Sequence, residues 1–513
     1  MTKPLRDRAE RVKVSVATSD RYPARVLQPH LVPGHPRTNA HRPLQVMKFG
    51  GTSVNDASCI AKVADIINAA ASDSDVVVVV SAMRGVTDLL IESAAQSEAG
   101  NQHRVTAIFQ ELRQRHESAA NALIQSTDKR QTISRKIHEL IQQADSLCQE
   151  IVLQRKLTLC ARDSISGFGE RLSAPLVAAA LEERGLRSHA LDATELIVTD
   201  SCYGSAEPYM DLTRDRCEAR LRPLLMQGII PVVTGFIAAT AEGVPTTLGR
   251  NSSDYSGSIL GAALNANEVT LWTDVDGILT TDPHLVPSAS SILEMSYREA
   301  SDLANLGAKV LHPKTLQALM QSGIPLSIRN TFAPDRPGTK ITPDGSSNAA
   351  GVKAVTVICD SALITVRASS VLETPDTLRR TLATVAAVPV PVRLEPQSSS
   401  SKNAVCIVVS SDHAESAFQA LRREFAHDLE REKVKHITLN PSVAIVTLVG
   451  RNLRDACDIV GRLTEALCRD TLKIFGIAHP FSGSNISFVV AQQDVKAALT
   501  TVHRELQFDE PIR

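Results

Sequence analysis

Short apolar runs alternate with longer amphipathic stretches along the first two thirds of this chain. The first run starts at Leu44 and reaches Lys48, and the residues after it carry Ile60, Val63 and Ile67 at helical spacing. Five consecutive valines, 76–80, form the next run, a composition typical of a strand buried on both faces of a parallel sheet. This alternation predicts an α/β fold with a mainly parallel sheet.

The alternation extends to about residue 345, so we assign one domain to residues 44–345. Within it, apolar positions recur at threes and fours between residues 91 and 162, which predicts paired helices that pack on the sheet. Beyond it, a strand–helix–strand–strand–helix pattern occurs twice, with the order of a ferredoxin-like α+β unit. We place these units at residues 350–437 and 438–513.

Residues 1–43 contain six prolines, many arginines and no sustained period, which predicts a flexible extension. A transit segment, a mis-assigned start and a functional tail all stay open as explanations. Over the whole chain, the net charge of −1 gives no bias towards nucleic acid, and no apolar run approaches the ~20 residues of a membrane span. Nine scattered cysteines without metal-ligand spacing favour reduced thiols and a cytoplasmic location.

The first candidate for chemistry is the glycine turn after the first strand. Gly50 and Gly51 let the backbone approach a ligand closely, and Lys48 adds a full charge beside them. Thr52–Ser53 are predicted to cap the following helix, whose N-terminus suits a phosphate. Ser81 stands at the carboxyl end of the valine strand, at the edge where ligands of open α/β sheets gather. A tight turn with a solvated lysine is the alternative.

Later segments add charged residues at helix starts. Glu170 either stabilises a helix N-terminus or holds an ammonium group. Arg250 is suited to pair with a carboxylate, and residues 251–253 are predicted to cap a helix rich in small residues. Asp254, near the start of that helix, is a candidate to orient Lys48 or to help hold a magnesium ion.

A third polar segment, WTDVDGILTTDP, begins at the end of another buried strand. Its aspartates around Gly277 invite a calcium site, but the later positions lack the glutamate of an EF-hand loop. A metal would therefore have to come with the substrate.

Together these stretches resemble the aspartokinase family, within the amino-acid kinase fold. The resemblance is strongest to the kinase half of bifunctional aspartokinase–homoserine dehydrogenases, although no G-x-G-x-x-G follows, so we expect the dehydrogenase half to be absent. It implies a mainly parallel central sheet in an α/β/α sandwich, followed by two α+β ACT domains. The matching strings are KFGGTSV (48–54), SAMRGVTDLL (81–90), GERLSA (169–174), TGFIAAT (234–240), TTLGRNSSDYSGSILGAAL (246–264), LWTDVDGILTTDP (271–283) and GAKVLHP (307–313).

The resemblance implies that the β-carboxylate of L-aspartate attacks the γ-phosphoryl group of MgATP, giving 4-phospho-L-aspartate and ADP. This is the first step of lysine, threonine and methionine biosynthesis. Lys48 would stabilise the transferring phosphoryl group and Asp254 would organise that lysine. L-Aspartate would be bound by Thr87, Glu170, Arg250 and Ser253, with Arg250 on its α-carboxylate and Glu170 near its ammonium group. ATP with Mg²⁺ would contact Lys48, Gly50, Gly51, Thr52, Ser53, Ser81, Thr273, Asp274 and Lys309.

Two departures from the family fall in the nucleotide loop, where Leu279 and His284 replace the Tyr and Arg of many members. They concern the nucleotide contacts there, and not the chemistry. The Q-x-S-S string that bifunctional relatives carry in both ACT units is kept only at Gln397, while the second unit has His479 and a different sequence.

The resemblance also implies regulation. We expect feedback inhibition by threonine or lysine through these two positions, in a homo-oligomer joined by ACT domains. A different amino-acid kinase, such as a glutamate or acetylglutamate kinase, and a catalytically silent amino-acid sensor are the alternatives.

Overall fold

The computed structural model describes residues 42–250, 252–308, 311–345, 351–388, 390–398, 403–453, 457–479 and 484–506. The predicted extension 1–43 and the candidate Lys309 thus lie wholly or almost wholly outside the described residues. The elements of the first domain, in chain order, are β1 Leu44–Phe49, α1 Ala57–Ala70, β2 Asp75–Val80, α2 Val86–Ala99, α3 Gln102–Leu123, α4 Thr127–Gln154, α5 Leu159–Ser166, α6 Phe168–Glu182, β3 Ser188–Leu191, a 3-10 turn Ala193–Glu195, β4 Val198–Thr199, α7 Met210–Met226, β5 Ile230–Thr234, β6 Ile237–Thr240, β7 Pro245–Thr247, α8 Ser253–Ala263, β8 Glu268–Thr273, β9 Glu294–Ser296, α9 Tyr297–Asn305, α10 Pro313–Met320, β10 Leu326–Asn330 and β11 Thr339–Thr342.

The main sheet has the strand order β3-β5-β2-β1-β8-β10-β11-β9. Every pair from β3 to β10 is parallel, and β11 pairs antiparallel with β10. The valine strand β2 is buried along 76–80, as its composition predicts. Val76, Val78 and Val80 join one apolar core and Val77 and Val79 join the other, because successive side chains of a strand point to opposite faces.

Helices cover both faces of this sheet. Apolar residues of α1, α2, α3, α4 and α6 build the core on one face, and those of α7, α8, α9 and α10 build the core on the other. A small second sheet, β4-β6-β7, lies beside the main one. The predicted mainly parallel sheet in an α/β/α sandwich is confirmed, and the paired helices predicted over residues 91–162 are α3 and α4.

The remaining chain forms a second body of mixed α+β structure. Its elements are β12 Gly351–Ala368, a 3-10 turn Val371–Glu373, α11 Thr374–Ala387, β13 Val392–Leu394, β14 Gln397–Ser398, β15 Ala404–Ser410, α12 Ser411–Glu424, α13 Ala426–Glu430, β16 Val434–Arg451, α14 Cys457–Arg469, β17 Ile474–Ala478, β18 Asn485–Ala491, a 3-10 turn Gln492–Asp494 and α15 Val495–Glu505. The strands of this body form one sheet with the order β13-β15-β12-β16-β18-β17-β14.

Two long antiparallel strands, β12 and β16, run through both α+β units. Val355, in the first half of β12, packs in one apolar core with residues of β16, β18, α14 and α15. Ile364, in the second half, packs in another core with residues of β15, α11 and α12. The β12–β16 pairing shifts register between Ile358 and Ser361, where the two halves meet.

The two units are therefore interleaved, which differs from the sequential division at 437 and 438. That boundary falls inside β16, and the start of β12 belongs with the second unit. Local sequence pattern cannot show this, because a strand's partners lie far away in the chain.

Two further observations bear on the class of protein. Among the described residues, no helix combines the length and apolarity needed to cross a membrane. Six cysteines, Cys59, Cys148, Cys160, Cys202, Cys217 and Cys468, are free thiols.

Candidate active site

The end of β1 brings a lysine and two glycines to the carboxyl edge of the sheet. Lys48 is 7% exposed, between the neighbouring strands β2 and β8. The N–H of Gly50 donates to the carbonyl oxygen of Trp272 at 3.0 Å. A Cβ atom on Gly51 would lie 2.9 Å from the carbonyl oxygen of Ala82, closer than packing allows, so this position requires glycine.

The predicted capping of α1 by Thr52 and Ser53 is wrong. The helix begins at Ala57, and its N-cap is Asp56, whose carboxylate accepts from the N–H of Cys59 at 3.0 Å. This backbone N–H lowers the pKa of Asp56 to about 2, so a fixed negative charge already occupies that helix end. Ser53 is buried instead, with its hydroxyl 2.7 Å from that of Thr331. Phosphate contacts here must come from the turn and from Lys48.

Helix α8 packs directly on β1 and supplies a carboxylate to Lys48. A Cβ atom on Gly257 would lie 3.1 Å from Cβ of Lys48, so the small residue allows this close approach. The Nζ atom of Lys48 lies 2.5 Å from Oδ1 of Asp254. The helix begins at Ser253, and its N-cap Ser252 makes no side-chain capping bond, contrary to the predicted cap; Asn251 lies outside the described residues.

Glu170 lies in the first turn of α6 and is 3% exposed. One carboxyl oxygen accepts from the N–H of Ala82 at 3.1 Å, while the other has no partner among the described residues. Burial raises the pKa of Glu170 to about 8, outweighing the lowering by the Ala82 N–H and by Lys48. The group is thus mostly neutral at pH 7 and has capacity for an incoming cation.

These side chains surround one cavity of about 520 Å³. At its mouth the guanidinium of Arg250 donates to the carboxylate of Asp88 at 2.9 Å, and both side chains are largely exposed. Half-buried Thr87, in the first turn of α2, faces the same space. The predicted residues that line the cavity are Lys48, Gly51, Ser81, Thr87, Glu170, Arg250, Ser253 and Asp254.

Among the described residues, the other predicted nucleotide positions, Gly50, Thr52, Ser53, Thr273 and Asp274, do not line this cavity but lie close to it along the sheet edge. Thr273 ends β8, the strand next to β1, and its hydroxyl lies 3.2 Å from the carboxylate of exposed Asp274. The departing residue His284 is exposed, and Leu279 forms an isolated bridge with Ser291. Among the described residues, no group of three or more His, Cys, Asp or Glu side chains is arranged to hold a metal ion.

Sequence reasoning missed four charged residues of the cavity wall: Arg84, Asp88, Arg162 and Asp163. The last two belong to a polar helical stretch in which nothing indicated chemistry. One signal was available, since three residues separate Arg162 and Asp163 from the Gly167–Gly169 segment that leads to Glu170.

The predicted regulatory positions are neighbours across a strand pair. In β14, Gln397 pairs with Ile477 of β17, and exposed His479 directly follows that strand. The two positions come from different α+β units of the same chain.

Comparisons with known proteins place this geometry in context. The profile of the amino acid kinase family matches residues 43–330, and that of the ACT domain matches residues 446–506. The chloroplastic bifunctional aspartokinase/homoserine dehydrogenase of Daucus carota is 30% identical over 466 residues. That match covers 89% of this chain and 50% of the carrot enzyme, so the chain spans about half the length of that relative.

A second relative matches along nearly its whole length. Lysine-sensitive aspartokinase 3 of Escherichia coli is 28% identical over 471 residues, covering 90% of this chain and 98% of that protein. A crystal structure of E. coli aspartokinase III with aspartate and ADP superposes with a TM-score of 0.72 at 28% identity, over 90% of this chain and 99% of that one. The likeness thus spans both the first domain and the α+β body. Because the family profile matches residues 43–330, and the parallel sheet and glycine turn of that domain agree with it, this chain is a member of the amino acid kinase family.

Proposed function

We propose that this protein is an aspartate kinase, which transfers the γ-phosphoryl group of MgATP to the β-carboxylate of L-aspartate. The products are 4-phospho-L-aspartate and ADP. The reaction is the first step towards lysine, threonine and methionine. The observation that carries the proposal is the ion pair between buried Lys48 and half-buried Asp254, 2.5 Å apart, in a cavity that also holds Glu170 and Arg250. The bound aspartate and ADP of the E. coli relative agree with it.

The chemistry requires two anions to approach each other. A β-carboxylate oxygen forms the new bond to the γ-phosphorus, the bond from that phosphorus to the bridging oxygen breaks, and the electron pair leaves with ADP. Lys48 neutralises charge on the transferring group, since a positioned cation in a water-poor site stabilises developing charge. Asp254 holds the ammonium group of Lys48 in place, and Gly50 and Gly51 keep side chains away from the phosphates.

Recognition of aspartate uses opposite charges at two ends of the cavity. Arg250 binds the α-carboxylate, because its planar fork matches a carboxylate, and Glu170 accepts from the ammonium group. Thr87 and Ser253 contribute hydroxyl groups from the starts of α2 and α8. Burial keeps Glu170 mostly neutral at pH 7, and the ammonium group of bound aspartate favours its ionised form.

ATP lies along the edge formed by β1 and β8, in contact with Thr52, Ser81, Thr273, Asp274 and Lys309, while buried Ser53 supports the turn through its hydrogen bond with Thr331. Mg²⁺ bound to the phosphates supplies further charge neutralisation. The described residues fit a metal that arrives with ATP, because Mg²⁺ keeps water and phosphate ligands and needs few from the protein. Asp274 is exposed and has the carboxylate such an ion accepts.

Regulation belongs to the α+β body. We propose that lysine or threonine binds near Gln397 and His479 and inhibits the kinase, in a homo-oligomer joined by ACT domains. The lysine sensitivity of the E. coli relative favours lysine. If neither amino acid at millimolar concentration lowers the activity, this regulatory proposal fails.

The activity is tested by trapping the acyl phosphate. We expect protein incubated with aspartate, MgATP and hydroxylamine to yield aspartyl hydroxamate, since hydroxylamine attacks an acyl phosphate. Glutamate and acetylglutamate in place of aspartate test the other amino-acid kinases. No product with any substrate would support the silent sensor instead.

Lys48→Met is the matching variant, since it removes the charge and keeps a side chain of similar length. We expect the turnover number to fall by about a thousandfold, the scale of losing one preorganised group at developing charge, while the thermal midpoint changes little. Lys129→Met, at an exposed ion pair on α4, is the control. Near-normal turnover of Lys48→Met would remove its assigned role.

A further inference from the structure

Asp163 is a buried carboxylate in the cavity wall to which no role has been assigned. It lies in α5 and is 3% exposed. Its Oδ2 atom accepts two backbone hydrogen bonds, from the N–H of Gly204 at 2.7 Å and from the N–H of Thr247 at 2.9 Å. One oxygen thus connects three segments of the chain that meet at the cavity.

The strand that receives this carboxylate is short and has one open edge. Strand β7 spans three residues and pairs with β6 on one side, where the N–H of Leu248 continues the pairing to the carbonyl of Phe236 at 3.0 Å. The N–H of Thr247 points the other way, towards Asp163. On that edge the carbonyl oxygen of Thr247 accepts from the N–H of Ala206 at 2.9 Å. Asp163 therefore takes the place that a neighbouring strand would fill.

The anchored strand leads directly to the arginine at the cavity mouth. Two residues connect Thr247 to Arg250: Leu248, which is buried, and Gly249, whose φ is +106°. The described partner of the Arg250 side chain is Asp88, and that pair is largely exposed. An exposed ion pair contributes little to holding a loop, so the buried bonds at Thr247 determine where Arg250 starts.

We infer that Asp163 is a positioning residue for aspartate recognition. By holding Thr247 and Gly204 it sets the loop from which Arg250 reaches the α-carboxylate of the substrate. The inference rests on the proposed function for its substrate, and on the hydrogen bonds alone for its effect on the loop. Asp163 acts on aspartate binding, and leaves the phosphoryl-transfer step to Lys48.

The test compares Asp163→Ala with Asp163→Asn. Alanine removes both bonds, whereas the single amide oxygen of asparagine can accept from both N–H groups. We expect Asp163→Ala to raise KM for aspartate by about ten- to a hundredfold, with kcat and KM for ATP within about threefold of the parent, because two hydrogen bonds to a charged group are lost. Asp163→Asn should recover most of the affinity. Ser164→Ala, on the same helix, is the control.

A double variant separates positioning from a merely structural role. If Asp163 acts through Arg250, Asp163→Ala should add almost nothing to the KM of Arg250→Gln, because the residue it positions is already gone. Additive effects, or an Asp163→Asn variant as impaired as Asp163→Ala, would overturn the inference, the latter by pointing to direct charge contact with the substrate.

Amide hydrogen exchange gives a readout that does not need activity. Asp163→Ala should speed exchange over residues 201–206 and 245–250, and Asp163→Asn should not, since the N–H groups stay bonded. Unchanged exchange in Asp163→Ala would overturn the inference. If the parent protein forms no hydroxamate while exchange responds as expected, the proposed function fails and the loop anchor stands.

Discussion

At the scale of single residues, the charge of the Glu170 carboxyl group depends on what binds in the cavity. The group lies at the inner wall of the cavity, and burial raises its pKa to about 8. Below pH 8 Glu170 is therefore mostly the neutral acid before a ligand binds. A bound ammonium group favours the ionised form, so under the proposed function aspartate binding and proton release from Glu170 are linked.

This linkage predicts the pH dependence of aspartate binding. As pH rises from 6.5 towards 8, the fraction of ionised Glu170 rises about tenfold per unit, so KM for aspartate should fall by the same factor and level off above pH 8. In Glu170→Gln, KM should be high and flat across this window. Steady-state kinetics in buffers of constant ionic strength measure both profiles.

The control for this series is Glu182→Gln, near the end of the same helix, where the carboxylate pairs with Lys129 on the surface. Its profile should match that of the parent protein. A Glu170→Gln profile that still falls towards pH 8 would show that another group titrates.

At the scale of elements, α8 depends on glycines to bring Asp254 to Lys48. A Cβ atom on Gly261 would lie 2.3 Å from Cγ2 of Val269 in β8, well inside contact distance. The helix is buried along most of its length, so it cannot move away without disturbing its other neighbours. The position of Asp254 thus depends on the absence of a methyl group two turns further along.

We therefore expect Gly261→Ala to destabilise the kinase domain by about 1–3 kcal/mol, the usual cost of overpacking a core. Urea unfolding followed by tryptophan fluorescence measures this change, since the single tryptophan, Trp272, is buried in β8, the same strand as Val269.

Gly461→Ala is the matched control, in the exposed face of α14 with nothing within 4 Å of the added atom. This substitution should raise the free energy of unfolding by about 0.5–1 kcal/mol, because alanine is the better helix former. Equal effects of the two substitutions would contradict the packing argument.

The sequence predicted those elements whose signal is local. The valines 76–80 and the turn at Gly50 could be assigned because burial on both faces and close backbone approach demand particular residues nearby. The cap of α1 was misplaced, since Thr52, Ser53 and Asp56 are all suitable caps and only the fold selects Asp56. Asp163 was missed because its partners are two backbone N–H groups distant in sequence.

At the scale of the whole molecule, the two bodies are joined through buried polar contacts. Lys353 of β12 lies 3.1 Å from the carboxylate of Glu299 in α9, with both side chains less than 10% exposed. The N–H of Val355 donates to the carbonyl of Thr280 at 2.7 Å, and the hydroxyl of Thr280 lies 3.1 Å from Nε2 of His503. The segment after β8 is thus bonded to both β12 and α15.

Breaking this junction on one side should be costly. In Lys353→Met, the carboxylate of Glu299 stays buried without its cation, so we expect a loss of about 3–5 kcal/mol. Adding Glu299→Gln should recover part of that loss, because the remaining group is then neutral. Urea unfolding of the single and double variants provides the comparison.

The exposed pair of Arg379 and Asp376, in α11, gives the reference for a surface contact. Arg379→Met should change the free energy of unfolding by less than about 1 kcal/mol. If Lys353→Met costs no more than this, the junction owes its stability to apolar packing instead.

The shared strands β12 and β16 limit how such a protein can exchange parts with its relatives. A crossover between residues 361 and 440 would place parts of the β12–β16 pair from different parents against each other. Both cores depend on the pairing of these two strands. Recombination that transplants the α+β body must therefore take residues 351–506 as a single block. The inheritance of this body, like its hydrogen bonding, is all or nothing.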